Sequence, residues 1–368
     1  METQILHHNG LSWQPYSYRW NSESTDAFLV DAEGSSSDGD ENDGWFIHSR
    51  AQCRSCHTNQ AGGAVGFSLE NLSDDAIGRF IDLHLLDRAA PKPWAIRKMV
   101  DPYDESQDLE RRARSYLAAN CAHCHRRGGG GSVALDLEYS NPNDLINAIN
   151  EQPMQGDFGI ENAKVISPGN PYRSILLYRM CTTGMGKMPK LAHADLETFG
   201  PLLIHDWIEA LGSPEKASTR SDVSDALKSA IAYMKSGDPE SGAARARAAR
   251  AQNDSIEEGL FERFLPASQR RKVLGPSIDA ESILALDGDA VRGGRWLTEG
   301  QGKLCIACHR VGGQGQNVGP SFDAIGSQRK PAELLDSILS PSSKIEERYR
   351  STVVLTDDGT VLTLSLIH

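Results

Sequence analysis

No run of about 18 apolar residues, the length a helix needs to cross a bilayer, occurs in this 368-residue chain. Aromatics are few, at 7%, and hydrophobic residues reach 39%, a composition that suits small domains whose cores are completed by a bound group. Positive charge is in deficit. Lys and Arg number 38 against 50 Asp and Glu, giving a net charge of −12. That balance argues against nonspecific nucleic-acid binding and favours partners with basic patches or small neutral molecules. Met1 to Tyr18 has neither the basic n-region nor the apolar h-region of an export signal. No methionine follows Met234.

Cysteine is also scarce, with seven in the chain, yet six of them fall in three copies of one pentapeptide. These are Cys53-Arg-Ser-Cys56-His57, Cys121-Ala-His-Cys124-His125 and Cys305-Ile-Ala-Cys308-His309. Cys-x-x-Cys-His is the attachment pattern of haem c. On a helical turn, positions i and i+3 present two thiols on one face, where they add across the two vinyl groups of one porphyrin. The following histidine offers its imidazole to iron from below. Three covalently bound haems c are therefore expected, held by Cys53, Cys56, Cys121, Cys124, Cys305 and Cys308, with His57, His125 and His309 as proximal ligands.

Other uses of the motif fit less well. A structural zinc takes four ligands from paired motifs, and here each motif stands far from the next, although the first two could in principle pair. A thioredoxin-like pair belongs after a strand in a βαβ unit, and no such pattern surrounds these residues. A disulfide within Cys-x-x-Cys is poor on geometry.

The expected fold class is mainly α: tandem cytochrome c-like domains with a helical spacer and a C-terminal β-hairpin. A first haem region covers residues 1–104. Its first fifty residues lack helical periodicity, hold the aromatic-rich Trp13-Gln-Pro-Tyr-Ser-Tyr-Arg-Trp20, and continue into an acidic loop from Ser35 to Gly44. A helix is predicted over Ser73–Leu86, with Ile77, Phe80, Ile81 and Leu85 on one face.

The second domain spans 105–213. A helix over Glu105–Asn120, with Leu109, Ala113, Tyr116 and Leu117 as its stripe, leads into Cys121, and Gly128 to Gly131 break it. Met188-Pro189 then precedes a closing helix over Asp195–Leu211, with Phe199, Leu202, Leu203, Trp207 and Leu211 inward. A cysteine-free helical spacer fills 214–287, with helices near Val223–Lys235, Glu240–Gln252 and Ile256–Phe264. Its run Arg245-Ala-Arg-Ala-Ala-Arg250 reads as a solvated helix face. A third domain, cut short, fills 288–368, with a helix over Pro331–Leu339 and a hairpin over Val353–Ile367 turning at Asp357–Thr360.

At these residues the chain resembles multi-haem proteins of planctomycetes and related bacteria. Residues 1–212, with Ala113-Arg-Ser-Tyr-Leu-Ala-Ala-Asn-Cys-Ala-His-Cys-His125 and Met188-Pro189, resemble a dihaem c-type cytochrome family. Residues from about 260 onward resemble the haem-binding domain at the C-terminus of large planctomycete proteins. Leu260-Phe-Glu-Arg-Phe-Leu-Pro266, His309-Arg-Val-Gly-Gly-Gln-Gly315, Val318-Gly-Pro320 and Ile338-Leu-Ser-Pro341 carry that likeness. The resemblance implies electron acceptance from sugar or alcohol oxidation, with a dehydrogenase as donor and a cytochrome or oxidase as acceptor. It also implies that the Pro320 carbonyl accepts the second imidazole N–H of His309. The family domain ends with a methionine-proline segment and a closing helix that this chain lacks, so the third haem is expected to be open. Covalent attachment occurs outside the cytoplasm, so a periplasmic or otherwise exported protein is expected, and the chain reads as a fragment of it.

Distal ligands follow from the methionines. For the second haem the candidates are Met180, Met185 and Met188, and Met188 is preferred because Pro189 stiffens its loop. For the first, Met99 leads and His84 competes. His123 would point away from iron, His193 and His205 read as surface or outer residues, and Cys181 as a buried thiol. Electron transfer is the leading function. A dihaem peroxidase-like enzyme with one open haem is the alternative, though no residue marks its distal base. A non-redox interaction module comes third.

Overall fold

Asp108 begins the helix on which the second motif rests. Its Oδ1 accepts a hydrogen bond from Arg111 N at 3.0 Å and caps α3 (Leu109–Asn120). This cap explains why the helix starts four residues later than periodicity suggests. In the computed structural model, the described residues are 1–10, 12–36, 46–54, 56–58, 63, 65–66, 68–86, 97–131, 133–184, 186–191, 197–212, 222–271, 280–298, 303–306, 309–316, 319–339, 346, 351–355 and 361–365. They divide into two units, Met1–Ser277 and Ile278–His368.

The first unit is mainly helical, with a small antiparallel sheet at its start. β1 (Glu2–His8) pairs with β2 (Trp13–Trp20) from Glu2 opposite Arg19 to His8 opposite Trp13, and β2 pairs with β3 (Ala27–Leu29). Sequence reading gave this region no strands. Asn9-Gly10 begins the connection between β1 and β2, with Gly10 at φ +95°, a conformation open to glycine. Pro15 and Ser17 are the buried positions of β2, while Tyr16, Tyr18 and Trp20 alternate with them. A second small sheet joins β4 (Ser35–Ser36) to β5 (Phe46–Ile47), and the rest of the acidic stretch lies outside the described residues.

Next come α1 (Arg50–Arg54) and α2 (Asp74–Asp82). Ser73 caps α2 through Ala76 N at 3.1 Å. Of the expected stripe only Ile77 is fully buried. Leu85 is exposed, because the helix ends at Asp82 and His84 takes a positive φ.

The main core lies between α3, α4 (Ile175–Cys181), α5 (Phe199–Ala210), α6 (Asp222–Ser236), α7 (Pro239–Ala251) and α8 (Ser255–Phe261). Ala113 and Leu117 of α3, Tyr178 of α4, Trp207 of α5, Leu227 of α6 and Phe261 of α8 are all inside it. Residues 222–265 are thus part of the second motif's core and do not form a spacer apart from it. Burying Phe261 alone stabilises that packing by about 1.5–3 kcal/mol. Two of the three arginines of α7 face the acids of α8: Arg245 pairs with Glu257, and Arg250 with Glu258 at 2.7 Å, while Arg247 reaches Gln269. They serve as a paired helix face.

In the second unit, α9 (Ala280–Leu284), α10 (Ala290–Thr298) and α11 (Lys303–Ile306) precede a two-residue ribbon of β6 (Arg310–Val311) and β7 (Gln314–Gly315). α12 (Ile325–Gln328) and α13 (Pro331–Leu339) follow. β8 (Ser351–Leu355) then pairs antiparallel with β9 (Val361–Ser365), while the residues between them lie outside the described set. None of the described side chains of this unit is fully buried.

Candidate functional site

Each motif closes the same single turn. The backbone N–H of its histidine donates to the carbonyl of its first cysteine: His57 to Cys53 at 3.1 Å, His125 to Cys121 at 2.8 Å and His309 to Cys305 at 2.9 Å. The i to i−4 bond is helical, so the first and fourth residues share a face. α1 carries Cys53, α3 ends at Cys121 and α11 carries Cys305. Cys308 lies outside the described residues.

The imidazoles are held by their surroundings. His57 Nδ1 lies 2.6 Å from the Gly63 carbonyl oxygen, and His309 Nδ1 lies 2.7 Å from that of Pro320. The second of these is the contact that the resemblance assigned to Pro320. With Nδ1–H donating to a carbonyl, Nε2 is the nitrogen with a free lone pair. Phe322 stacks on His309 with ring centroids 4.2 Å apart. A Cβ at Gly319 would come within 2.7 Å of His309 Cε1, so glycine lets the loop close over the ring. Likewise a Cβ at Gly131 would meet His125 Nδ1 at 2.8 Å. His125 Nδ1 is itself buried without a hydrogen-bond partner. Burial, with Arg179 adding to it, lowers the His125 pKa and favours the neutral imidazole that binds metals.

Two cavities adjoin the first two motifs. One, of about 470 Å³, is lined by Cys53, Cys56, His57 and Met99. The other, of about 1100 Å³, is lined by Cys121, Cys124 and His125 together with Met180 and Met188. Its size lies just above the usual range of ligand pockets, about 300–1,000 Å³. Met99 and Met188 therefore each share a cavity with the histidine assigned to them, and Met180 is a second thioether beside His125. Met185 and His193 lie outside the described residues. His84 is exposed and lines neither cavity. His205 is buried rather than superficial, with Nε2 3.0 Å from Tyr172 OH and Nδ1 2.7 Å from Asp206 Oδ1. Cys181 is a fully buried thiol in the main core.

Sequence reading brought the first two motifs together only as a weakly supported zinc pair. They are adjacent in space. Cys56 and Cys124 are paired as a disulfide, with Cα atoms 5.0 Å apart. Thr58 Oγ1 donates to the Gly128 carbonyl at 2.6 Å, fastening one motif to the glycine run behind the other. His123 joins the two sulfurs, the three ligand atoms lying within 4.8 Å of one another. A sulfur in a disulfide has no valence left for a thioether, so this pairing and haem attachment at Cys56 and Cys124 are exclusive states.

The donor set of the second motif otherwise suits haem c: Cys121 and Cys124 on one turn, the His125 imidazole with its orphaned Nδ1, and the Met180 and Met188 thioethers lining the same large cavity. No known protein family, curated protein or solved structure matches the chain. Among the described residues, no helix is long and apolar enough to cross a membrane.

Proposed function

We propose that the chain is an exported multi-haem c-type cytochrome that carries electrons, the electron-accepting part of a larger sugar- or alcohol-dehydrogenase-like assembly. Its three motif regions are read as tandem cytochrome c-like domains. The observation that carries the reading is the second site, where Cys121, Cys124, His125 and Met188 border one cavity. Bound haem would supply reversible one-electron chemistry at iron. Cys53 and Cys56, Cys121 and Cys124, and Cys305 and Cys308 would hold it covalently. His57, His125 and His309 would be its proximal ligands, with Met99 and Met188 distal at the first two sites. Gly63 and Pro320 fix the imidazole tautomer by accepting the Nδ1 proton. The absence of fully buried side chains among the described part of the second unit also fits a core completed by porphyrin.

The test is expression in a host with periplasmic haem maturation, followed by a reduced-minus-oxidised spectrum and haem stoichiometry. A c-type spectrum with three haems per chain is expected. A colourless, folded protein would overturn the reading.

A second reading is favoured by one observation. With their disulfide reduced to thiolates, Cys56 and Cys124 could join His123 in holding a soft or borderline cation such as zinc, with a fourth ligand from elsewhere. Stoichiometric zinc in haem-free protein, lost on substituting His123, would support it. The peroxidase-like alternative is weaker, since it needs a distal base beside an open haem and the sequence marks none.

A further inference from the structure

Arg263 lies between α8 and Leu265, in the segment that follows the second domain, yet its side chain lines the wall of the second motif's cavity. It is 7% exposed. Its polar contacts among the described residues are neutral: Nη1 to Met234 Sδ at 2.8 Å and to the Glu197 carbonyl at 3.4 Å, and Nη2 to the Met180 carbonyl at 3.3 Å. Nε is buried with no partner. The nearby acid Glu197 directs its Oε1 to Tyr116 OH at 3.0 Å. A guanidinium buried without a carboxylate is costly, and an anionic ligand is what relieves that cost.

Three more cations, Arg179, Lys187 and Lys190, line the same cavity, against two acids, Glu151 and Glu197. Arg179 gives Nε to the Gly186 carbonyl at 2.7 Å and Nη1 to Gln155 Oε1 at 3.5 Å, both neutral acceptors. Lys187 and Lys190 are the others, and no ion pair is found for either among the described residues. The cavity is otherwise largely apolar, with Leu135, Leu137, Val165, Ile175 and Leu176 in its lining. An apolar chamber with a cationic edge selects a flat hydrophobic ligand that carries carboxylates.

We propose that Arg263, with Arg179 and Lys187 beside it, binds the propionate carboxylates of the second haem, so that the helical segment after the second domain completes that haem's pocket. The inference rests on the haem reading above. A planar guanidinium donates two parallel N–H bonds to a carboxylate, a geometry that lysine cannot reproduce. Neutralising a propionate also removes negative charge near iron, which favours the reduced state and raises the potential.

The test compares wild type, Arg263→Met and Arg263→Lys as holoproteins by potentiometric titration from pH 5 to 8, with haem content measured on each. In wild type, the second haem's midpoint should vary little with pH. Arg263→Met should lower that midpoint alone and make it fall further as pH rises, because the freed propionate now titrates with the iron. Arg263→Lys, which keeps the charge but not the two parallel N–H bonds, should restore part of the wild-type value. A merely structural role would change stability without adding the pH dependence. Should neither Arg263 variant fold, Lys187→Gln, which removes a less buried charge, decides by the same shift in smaller size. A wild type without haem at the second motif sinks the functional reading itself. Haem-loaded variants with unchanged potential and pH profile overturn the role of Arg263 alone.

Discussion

Cys56 and Cys124 stand 68 positions apart in sequence, yet their sulfurs are paired and their Cα atoms are 5.0 Å apart. Each is the second cysteine of its motif, so the first two motifs meet at equivalent residues. On the proposed haem reading, in an oxidising compartment the two sulfurs would face a choice between each other and a vinyl group. Haem attachment would have to find them reduced.

The thiol inventory should report that choice. Before attachment, with Cys56 and Cys124 oxidised, denatured protein should expose five of its seven cysteines to alkylation. After complete attachment one should remain, Cys181, and it should react only once the protein is unfolded, since it has no exposed surface. Two or more alkylated cysteines in mature protein would mean that at least one motif is incompletely attached.

Met188→Ala should leave covalent attachment intact, abolish the thioether–iron charge-transfer band of the second haem and lower its potential. Met180 lines the same cavity and is the natural replacement ligand. An unchanged spectrum in Met188→Ala, together with loss of the band in Met180→Ala, would move the ligand to α4.

Gly319→Ala probes the third site without backbone strain, because Gly319 has no positive φ. Its new methyl group would meet His309 Cε1 at 2.7 Å and push the imidazole off the Pro320 carbonyl. The third haem should show a shifted Soret band and weaker proximal ligation, with the other two unaltered. A Gly319→Ala protein whose third haem is spectroscopically wild type would show that the loop has room to give.

Cys181 should make the protein sensitive to alkali. Burial pushes its thiol from the ordinary 9.0 up to about 11. An acid with a raised folded pKa contributes fully below the unfolded value and loses that contribution as pH rises towards the folded one. Stability should therefore fall between pH 9 and 11 by at most about 1.4 kcal/mol per pH unit from this group. Cys181→Ala should flatten that part of a denaturant-unfolding profile. An equally steep decline in the variant would assign the sensitivity elsewhere.

The helices were legible because their apolar positions recur at helical spacing. Ala113 and Leu117 mark the buried stripe of α3, and Leu203 and Trp207 that of α5. Helix ends were less so: Asp108 sets the start of α3 through a cap, and α2 stops before Leu85. The β1–β2 pairing was missed although Asn9-Gly10 and the alternation of Tyr16, Tyr18 and Trp20 both signal it. At the site, the local turn was readable, since one bond between the histidine and the first cysteine defines it. The meeting of Cys56 with Cys124 was not, because contacts between distant segments leave no periodic trace in sequence. Arg263 was hidden for the same reason: nothing near residue 263 announces a cavity built around residue 125.

The central claim is covalent haem at three Cys-x-x-Cys-His turns, and the mass of the denatured chain tests it most directly. Protein from a host competent for haem maturation should exceed the 40.1 kDa polypeptide by three haem additions that survive acid and organic solvent. A mass equal to the bare chain, whether or not Cys56 and Cys124 are oxidised, would contradict the account.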